Sequence, residues 1–192
     1  HWHPDFEIAT AKCGVLDYRV GQQHIEMKPG DSIFVNGNVL HGIRQLSGDA
    51  PDPMPNIVFS GTLIGPQSST VYQKYVQPII QCDTLPFVVF RCDDKKCSAV
   101  LELINSTYDL LNNMGETFEM KVQRNISAIL EYVFVNLGSF PKSAFSRIQI
   151  SNQVRLQKML SFIYDHYAEQ VTLEDIAKAA DISRSEAGRC FR

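Results

Sequence analysis

Four side chains near the start of the chain have the types and spacing of a ligand set for a divalent ion. His1 and His3 lie two apart in HWHPDFE, Glu7 follows four residues later, and His41 stands in NVLHGIRQL. Residues two apart on a strand face the same way, so an extended segment puts His1 and His3 on one face. Imidazole nitrogens beside one carboxylate suit a divalent transition metal. Without an ion, the same groups hydrogen-bond a small ligand or serve at a strand edge. Two readings stay open: a metal held by His1, His3, Glu7 and His41, and a metal-free small-ligand pocket formed by His1, His3, Glu7, Tyr18 and His41. Trp2, Phe6, Ile8, Tyr18 and Phe34 are candidate lining residues, and the strand register decides which of them point inward.

A second chemistry is written at the far end, in VTLEDIAKAADISRSEAGRCFR. Thr172 precedes Asp175 by three residues and Ser183 precedes Glu186 by three, the spacing of two capping boxes. Two helices therefore begin eleven residues apart. This leaves about eight residues for the first helix and three or four for a turn, the dimensions of a helix-turn-helix. Ala177 and Ala180 are small where the helices must cross closely. Leu173, Ile176, Ile182 and Phe191 supply an apolar wedge. Ser183, Arg184, Ser185, Glu186 and Arg189 then sit where a recognition helix reaches base edges and phosphates. A capped helix pair that touches no DNA is the plainer alternative.

The elements that must position these groups follow from periodicity. From Asp5 to about Phe59, the runs FEIATAK, GVLDYRV, HIEM, SIFV, VLHGIRQ and NIVFS are separated by turn signals, as in a barrel or sandwich. In VLDYRV, Leu16, Tyr18 and Val20 alternate with Asp17 and Arg19, so one face is buried. KPGD at 28–31 reads as a tight turn, with Pro29 fixing φ and Gly30 taking positive φ. A short helix is expected around SSTVYQKYV and a further strand in FVVF. Val100, Leu103, Ile104, Tyr108 and Leu111 then recur at helical spacing up to Gly115. Phe118, Val122, Ile126, Ile129, Val133 and Leu137 do so up to Gly138, giving two antiparallel helices. Leu101, Leu110, Leu130 and Phe134 widen the apolar surface. Either a partner subunit covers that second face or both faces pack internally.

The 192 residues suffice for one domain with a smaller second one, and 44% hydrophobic with 20% charged residues is ordinary globular composition. The net charge of −3 gives no global basic field; residues 1–150 carry 12 basic and 15 acidic groups and 151–192 carry 6 of each. Within 184–192, Arg184, Arg189 and Arg192 face only Glu186, so this short segment is locally positive. No run of eighteen apolar residues and no signal-peptide pattern is present, so the expectation is a soluble, cytoplasmic protein with no membrane partner. Five cysteines without a Cys-x-x-Cys pair read as reduced thiols.

TLEDIAKAADISRSEAGRCFR, after an amphipathic helix at 153–167, resembles the first helix-turn-helix of the AraC/XylS family of bacterial transcription regulators. Leu173, Ala177, Ser183, Arg189, Phe191 and Arg192 stand at matching positions. HWHPDFEIATAKCG with MKPGDSIFVNGNVLH is similar to the cupin-type effector domain of that family, and the helices at 98–137 sit where it has dimerisation helices. The resemblance implies an α+β chain: a cupin-like, jelly-roll effector-binding barrel at 1–95, an antiparallel helix pair at 96–138, a linker at 139–152, and a first helix-turn-helix at 153–192. It implies a ligand-responsive regulator, not an enzyme, with promoter DNA, a small-molecule effector and a second copy as partners, the homodimer forming through helices 98–137. The family has two helix-turn-helix units, so the resemblance also implies a C-terminally truncated chain. Asp181 replaces the usual turn Gly. Gly188 interrupts the recognition helix, and Asn36, Asn38 and Gln45 depart from the cupin pattern's usual Pro, Gly and Asn. A metal-dependent cupin oxygenase or isomerase with a helical appendage is the rival reading.

Overall fold

The computed structural model describes residues 1–21, 23–47, 54–82, 84–140 and 147–191, and no side chain of 147–153. Its contacts divide into two compact units, His1–Ser143 and Ala144–Arg192.

The first unit holds two antiparallel sheets. Strands β1 (Phe6–Thr10), β4 (Ser32–Val35), β6 (Asn56–Phe59) and β7 (Phe87–Phe90) form one, in the order β6-β1-β4-β7. Strands β2 (Val15–Val20), β3 (Gln23–Met27) and β5 (His41–Ser47) form the other, in the order β3-β2-β5. Among the described residues the two ladders stay separate and no single closed ladder forms. All seven strand runs of the sequence form strands.

The first sheet is covered on both sides, which explains why every residue of β1 is buried. Phe6, Ile8, Phe34, Ile57, Phe59, Val88 and Phe90 face the helices and pack with Val100, Ile104, Ile126, Ile129 and Val133. Side chains alternate along a strand, so Glu7 points the opposite way, toward the second sheet. There it meets Tyr18 of β2 and His41 of β5. This parity corrects part of the candidate lining: Phe6, Ile8 and Phe34 belong to the sheet–helix core and not to the pocket of the histidines.

Turn chemistry fixes the strand connections. Gly30 takes φ +92° in the KPGD turn, and the Asp31 N–H donates to the Lys28 carbonyl at 2.9 Å. Asp31 is buried and accepts from the backbone N–H of Lys28 and of Cys92 and from the Arg91 guanidinium, at 3.0, 3.0 and 2.7 Å. Gly14 takes φ +71°, and a Cβ there would run into the Ser47 carbonyl, so only glycine fits this entry to β2.

Helices α2 (Ser98–Asn113) and α3 (Phe118–Val135) lie antiparallel. Asn125 donates to Ser106 at 3.3 Å, and the Tyr132 hydroxyl donates to the Lys96 carbonyl ahead of α2 at 3.2 Å. The Tyr108 hydroxyl ties α2 to the sheet region by donating to the Pro55 carbonyl at 2.7 Å. Leu101 and Leu130, read as part of a second apolar face, are buried in this same core, while Leu110 and Phe134 are half-buried. What stays exposed is Met114 and Met120 with Val135. Helix α2 does not stop on Gly115: Met114 itself caps it in the left-handed region at φ 42°. The expected short helix runs further than Val76. A π-turn at Tyr72–Val76 leads into α1 (Gln77–Ile80), and Pro78, which has no N–H to give, sits just after that wider turn.

The second unit packs α4 (Arg147–His166), α5 (Leu173–Ala179) and α6 (Arg184–Cys190) around Met159, Ala177, Ala180 and Ala187. Residues 147–152, read as connector, are helical; positions 141–146 of that connector lie outside the described residues. Both capping boxes form. Thr172 Oγ1 accepts from the Asp175 N–H and Ser183 Oγ from the Glu186 N–H, each at 3.2 Å, and both acids reach back to the cap N–H. Between the helices Asp181 takes φ 55°. The Ile182 N–H donates to the Ala177 carbonyl and the Asp181 N–H to the Lys178 carbonyl, both at 3.1 Å, which is the Schellman closure of α5. Asp is among the few residues that accept this conformation, so the departure from Gly leaves the turn intact.

Nothing lies within 4 Å of a Cβ built on Gly188, and nothing in the structure explains a glycine in the middle of α6. Gly188→Ala is expected to stabilise the second unit by about 0.5–1 kcal/mol through reduced backbone entropy of the unfolded chain. Urea unfolding of the two forms, followed by far-ultraviolet dichroism, checks this; a lower midpoint for the alanine form would contradict it.

Candidate functional site

The sequence-predicted cluster comes together. Glu7 Oε2 lies 3.0 Å from His41 Nε2, 3.2 Å from His3 Nε2 and 3.7 Å from His1 Nε2. The four ligand atoms lie within 4.8 Å of one another. Glu7 and His41 are almost completely buried, with side chains 2% and 1% exposed, whereas the His1 ring is 63% exposed and marks the open side. The Tyr18 hydroxyl donates to the other carboxylate oxygen, Oε1, at 3.1 Å.

Three separate segments build this arrangement. Glu7 is on β1, which pairs through Glu7 with both Val35 and Val58 and is therefore held from both sides. Tyr18 and His41 come from neighbouring strands of the second sheet, where Val20 pairs with His41. His1 and His3 precede β1. Backbone bonds hold them: His1 N–H donates to the His41 carbonyl, His41 N–H to the His1 carbonyl, and Asn38 N–H to the His3 carbonyl, at 2.9, 3.0 and 2.8 Å. Extended backbone over 1–3 then puts both rings on one side, as the two-residue spacing requires.

Further contacts fix the ring tautomers. His3 Nδ1 is 2.9 Å from the Asp5 carbonyl and His41 Nδ1 is 2.7 Å from the Val39 carbonyl. A carbonyl only accepts, so each Nδ1 carries a proton, and each Nε2 is turned toward the Glu7 carboxylate. These two carbonyls are the part of the site that sequence reasoning missed, because nothing in residue type marks a backbone oxygen.

Charge in the cluster is set by its neighbours. Burial alone would raise the Glu7 carboxyl, but the hydrogen bond and charge of His41, with hydrogen bonds from His3 and Tyr18, outweigh it and hold the group at about 2. Burial, the Glu7 charge and the bond to it push the Tyr18 phenol far up, so it stays a donor. The arrangement is a buried carboxylate ringed by three imidazoles and a phenol. It suits binding of a cation or a polar ligand; nothing in it resembles an activated nucleophile.

Residues 1–64, which contain all five of these side chains, match the family model of the AraC-like ligand binding domain. Over 197 aligned residues the chain is 26% identical to YdeC, an uncharacterized HTH-type transcriptional regulator of Bacillus subtilis strain 168, covering all of this chain and 64% of that protein. The chain thus spans less than two thirds of that curated relative's length. Among solved structures, the AraC-like transcriptional activator CuxR is 15% identical with a TM-score of 0.48, covering 98% of this chain and 61% of that one. Apo ToxT from Vibrio cholerae is 11% identical with a TM-score of 0.49, covering 98% and 66%.

Within residues 1–64, the departures from the cupin pattern have local reasons. Asn38 takes φ 62°, the conformation a glycine would supply. Asn36 is buried, donates to the Ile79 and Leu85 carbonyls at 2.7 and 3.1 Å, and accepts from the Gly37 N–H. Gln45 donates to the Ser47 carbonyl at 3.2 Å. Trp2 is half-buried. An apolar groove of about 620 Å³, lined by Val58, Leu63, Leu111, Val122 and Ile126, runs between β6 and helices α2 and α3. Sequence reasoning did not identify it, since its walls meet only in the tertiary fold.

In the second unit, Ser183 and Glu186 are engaged with each other: the serine hydroxyl donates to Glu186 Oε2 at 2.8 Å in addition to the cap bonds. Those contacts, with the charges of Arg155 and Arg189, hold the Glu186 carboxyl below its ordinary value. Arg184, Ser185 and Arg189 are exposed on α6. Of the five predicted contact residues, Ser183 is exposed as well, Glu186 is half-buried, and these two hold the helix start.

Proposed function

We propose that the chain is the sensing part, with one DNA-reading unit, of a ligand-responsive transcription regulator. The observation that carries this is the pairing, in one chain, of an AraC-like ligand binding domain with two short, doubly capped helices joined through a left-handed Asp181. A helix-turn-helix needs a rigid turn, close helix crossing and a recognition helix with free polar side chains. Ala177, Ala180 and Ala187 provide the close crossing, and Arg184, Ser185 and Arg189 provide the reading face. The similarity to a named HTH-type regulator across all of this chain supports the same reading.

In this proposal residues 1–95 are a cupin-like barrel whose effector site is the His1, His3, Glu7, Tyr18 and His41 cluster. Helices α2 and α3 carry contacts to a second copy through the exposed Met114, Met120 and Val135, and the capped pair enters a major groove of promoter DNA. The effector acts by binding one arrangement of the DNA-reading units more tightly than another, since equal affinity for both shifts nothing. The rival, a metal-dependent cupin enzyme, draws support only from the three-histidine, one-carboxylate set. Turnover that disappears in His41→Ala would favour it.

The test is binding of the full-length protein to its own upstream promoter DNA over a range of salt concentrations. Sequence-preferring binding that weakens with salt is expected. Arg184→Ala and Arg189→Ala are each expected to cost about 1–3 kcal/mol if they read a base, or to lower the salt slope by about 1 if they meet a phosphate. Binding that ignores sequence and salt, or that is unchanged in both variants, would refute the reading.

A further inference from the structure

No residue lining the groove between β6 and helices α2 and α3 carries a charge, and none belongs to the histidine cluster. Val58 supplies one wall from β6, and Leu111, Val122 and Ile126 supply the other from the helices. Leu63 sits in a short helical turn at Gly61–Leu63 that follows β6. Gln123 of α3 donates to the Leu63 carbonyl at 2.7 Å, so this turn is pinned to α3 and closes that end of the groove.

Polar groups line the β6 side only. The Ser60 and Thr62 hydroxyls lie 2.9 Å apart, so one donates to the other and the second O–H is left to give. The strand backbone adds more. The Thr10 N–H donates to the Pro55 carbonyl, and an antiparallel ladder alternates, so Ile57 and Phe59 turn their backbone groups toward β1 and Val58 turns its own away. Since β6 is the outer strand of its sheet, the Val58 N–H and C=O meet no neighbouring strand among the described residues. An ionised group entering these walls would lose its water and find no countercharge. The volume of about 620 Å³ falls within the range of small-molecule sites, about 300–1,000 Å³, and the closed end does not let a continuous chain run through.

We infer that this groove binds one small, neutral, mainly apolar molecule, whose carbonyl, amide or hydroxyl end is held by the Val58 backbone and the Ser60–Thr62 pair, as a second ligand site apart from the histidine cluster. Such a molecule bridges the sheet edge and the helix pair. Leu111 lies just before the exposed Met114 and Val122 just after the exposed Met120, so the ligand packs against the helix ends that carry both methionines. Occupancy thereby alters the surface assigned above to a second copy. That effect, and any effect on DNA, rests on the regulator reading; the site rests on the groove's geometry alone.

Titration with the neutral dye N-phenylnaphthylamine, whose emission rises in apolar surroundings, tests the site. One dye per chain should bind. Val58 is half exposed on an outer strand, so Val58→Trp should leave the unfolding midpoint unchanged while its indole fills the groove and weakens dye binding at least about tenfold. Val58→Arg, which brings a charge to the same wall, should weaken it similarly. Val154→Trp, at an equally exposed position in the second unit, should titrate like the parent. Saturation below one equivalent, or Val58 variants that bind dye as the parent does, would overturn the site. Dye affinity that falls as protein concentration rises, with dimers appearing in sedimentation, would also overturn it, because a second copy then fills the groove. If the dye binds as expected but the full-length protein has the same promoter affinity with and without it, the effect on DNA falls and the site stands. If the dye does not bind while salt-sensitive promoter binding persists, the inference falls and the regulator reading survives.

Discussion

Glu7→Ala is expected to destabilise the first unit by about 3–5 kcal/mol, the cost of removing one member of a buried charged set and leaving the others without it. The carboxylate is the common partner of His1, His3, His41 and Tyr18. Its loss strands the Tyr18 hydroxyl, whose ring is buried between the sheets, and opens a void beside the buried His41 ring. Glu7→Gln separates charge from shape. The amide keeps an acceptor for Tyr18 and offers N–H to a ring Nε2, so its loss should be clearly smaller. Urea unfolding in the presence of chelator measures both; an alanine variant within about 0.5 kcal/mol of the parent would show that the cluster contributes nothing to the fold.

The same carboxylate predicts how the protein responds to acid. Glu7 is held at about 2, against an ordinary value of 4.5. Between those values the unfolded chain binds a proton that the folded chain refuses. The contribution is therefore fully present above about pH 4.5 and is lost as pH falls from there toward 2. The difference corresponds to about 3 kcal/mol. Asp31 acts in the same direction: its burial would raise it, but the N–H groups of Cys92 and Lys28 and the Arg91 guanidinium together hold it down. Stability measured from pH 6 to pH 2.5 in chelator should fall steeply at the acid end. Glu7→Gln should show a slope shallower by about one proton; parallel curves for the two proteins would contradict the assignment.

Much of this was legible in the residues. Strand positions followed from alternation and turn signals, because the pleat and the steric needs of Gly30 act within a few residues. Both capping boxes and the left-handed Asp181 followed from side-chain reach over three residues and from the tolerance of Asp for positive φ. The spacing of His1, His3 and Glu7 marked one face of one segment. In each case the cause is local, so the sequence by itself determines it.

What the tertiary structure decided depended on which face each element buries. Phe6 and Ile8 flank Glu7 in sequence but face the helices, because β1 lies in a sheet covered on both sides, and hydrophobicity cannot distinguish two buried faces. Leu101 and Leu130 turned inward for the same reason: a helix pair lying on a sheet buries a wider arc than one stripe. His41 reached Glu7 only because β5 and β1 belong to facing sheets, and the Asp5 and Val39 carbonyls that fix the histidine tautomers carry no side-chain signature. The sequence determined the ligand types and the local conformations; packing across 34 residues of chain separation determined that the carboxylate and the third imidazole share one centre.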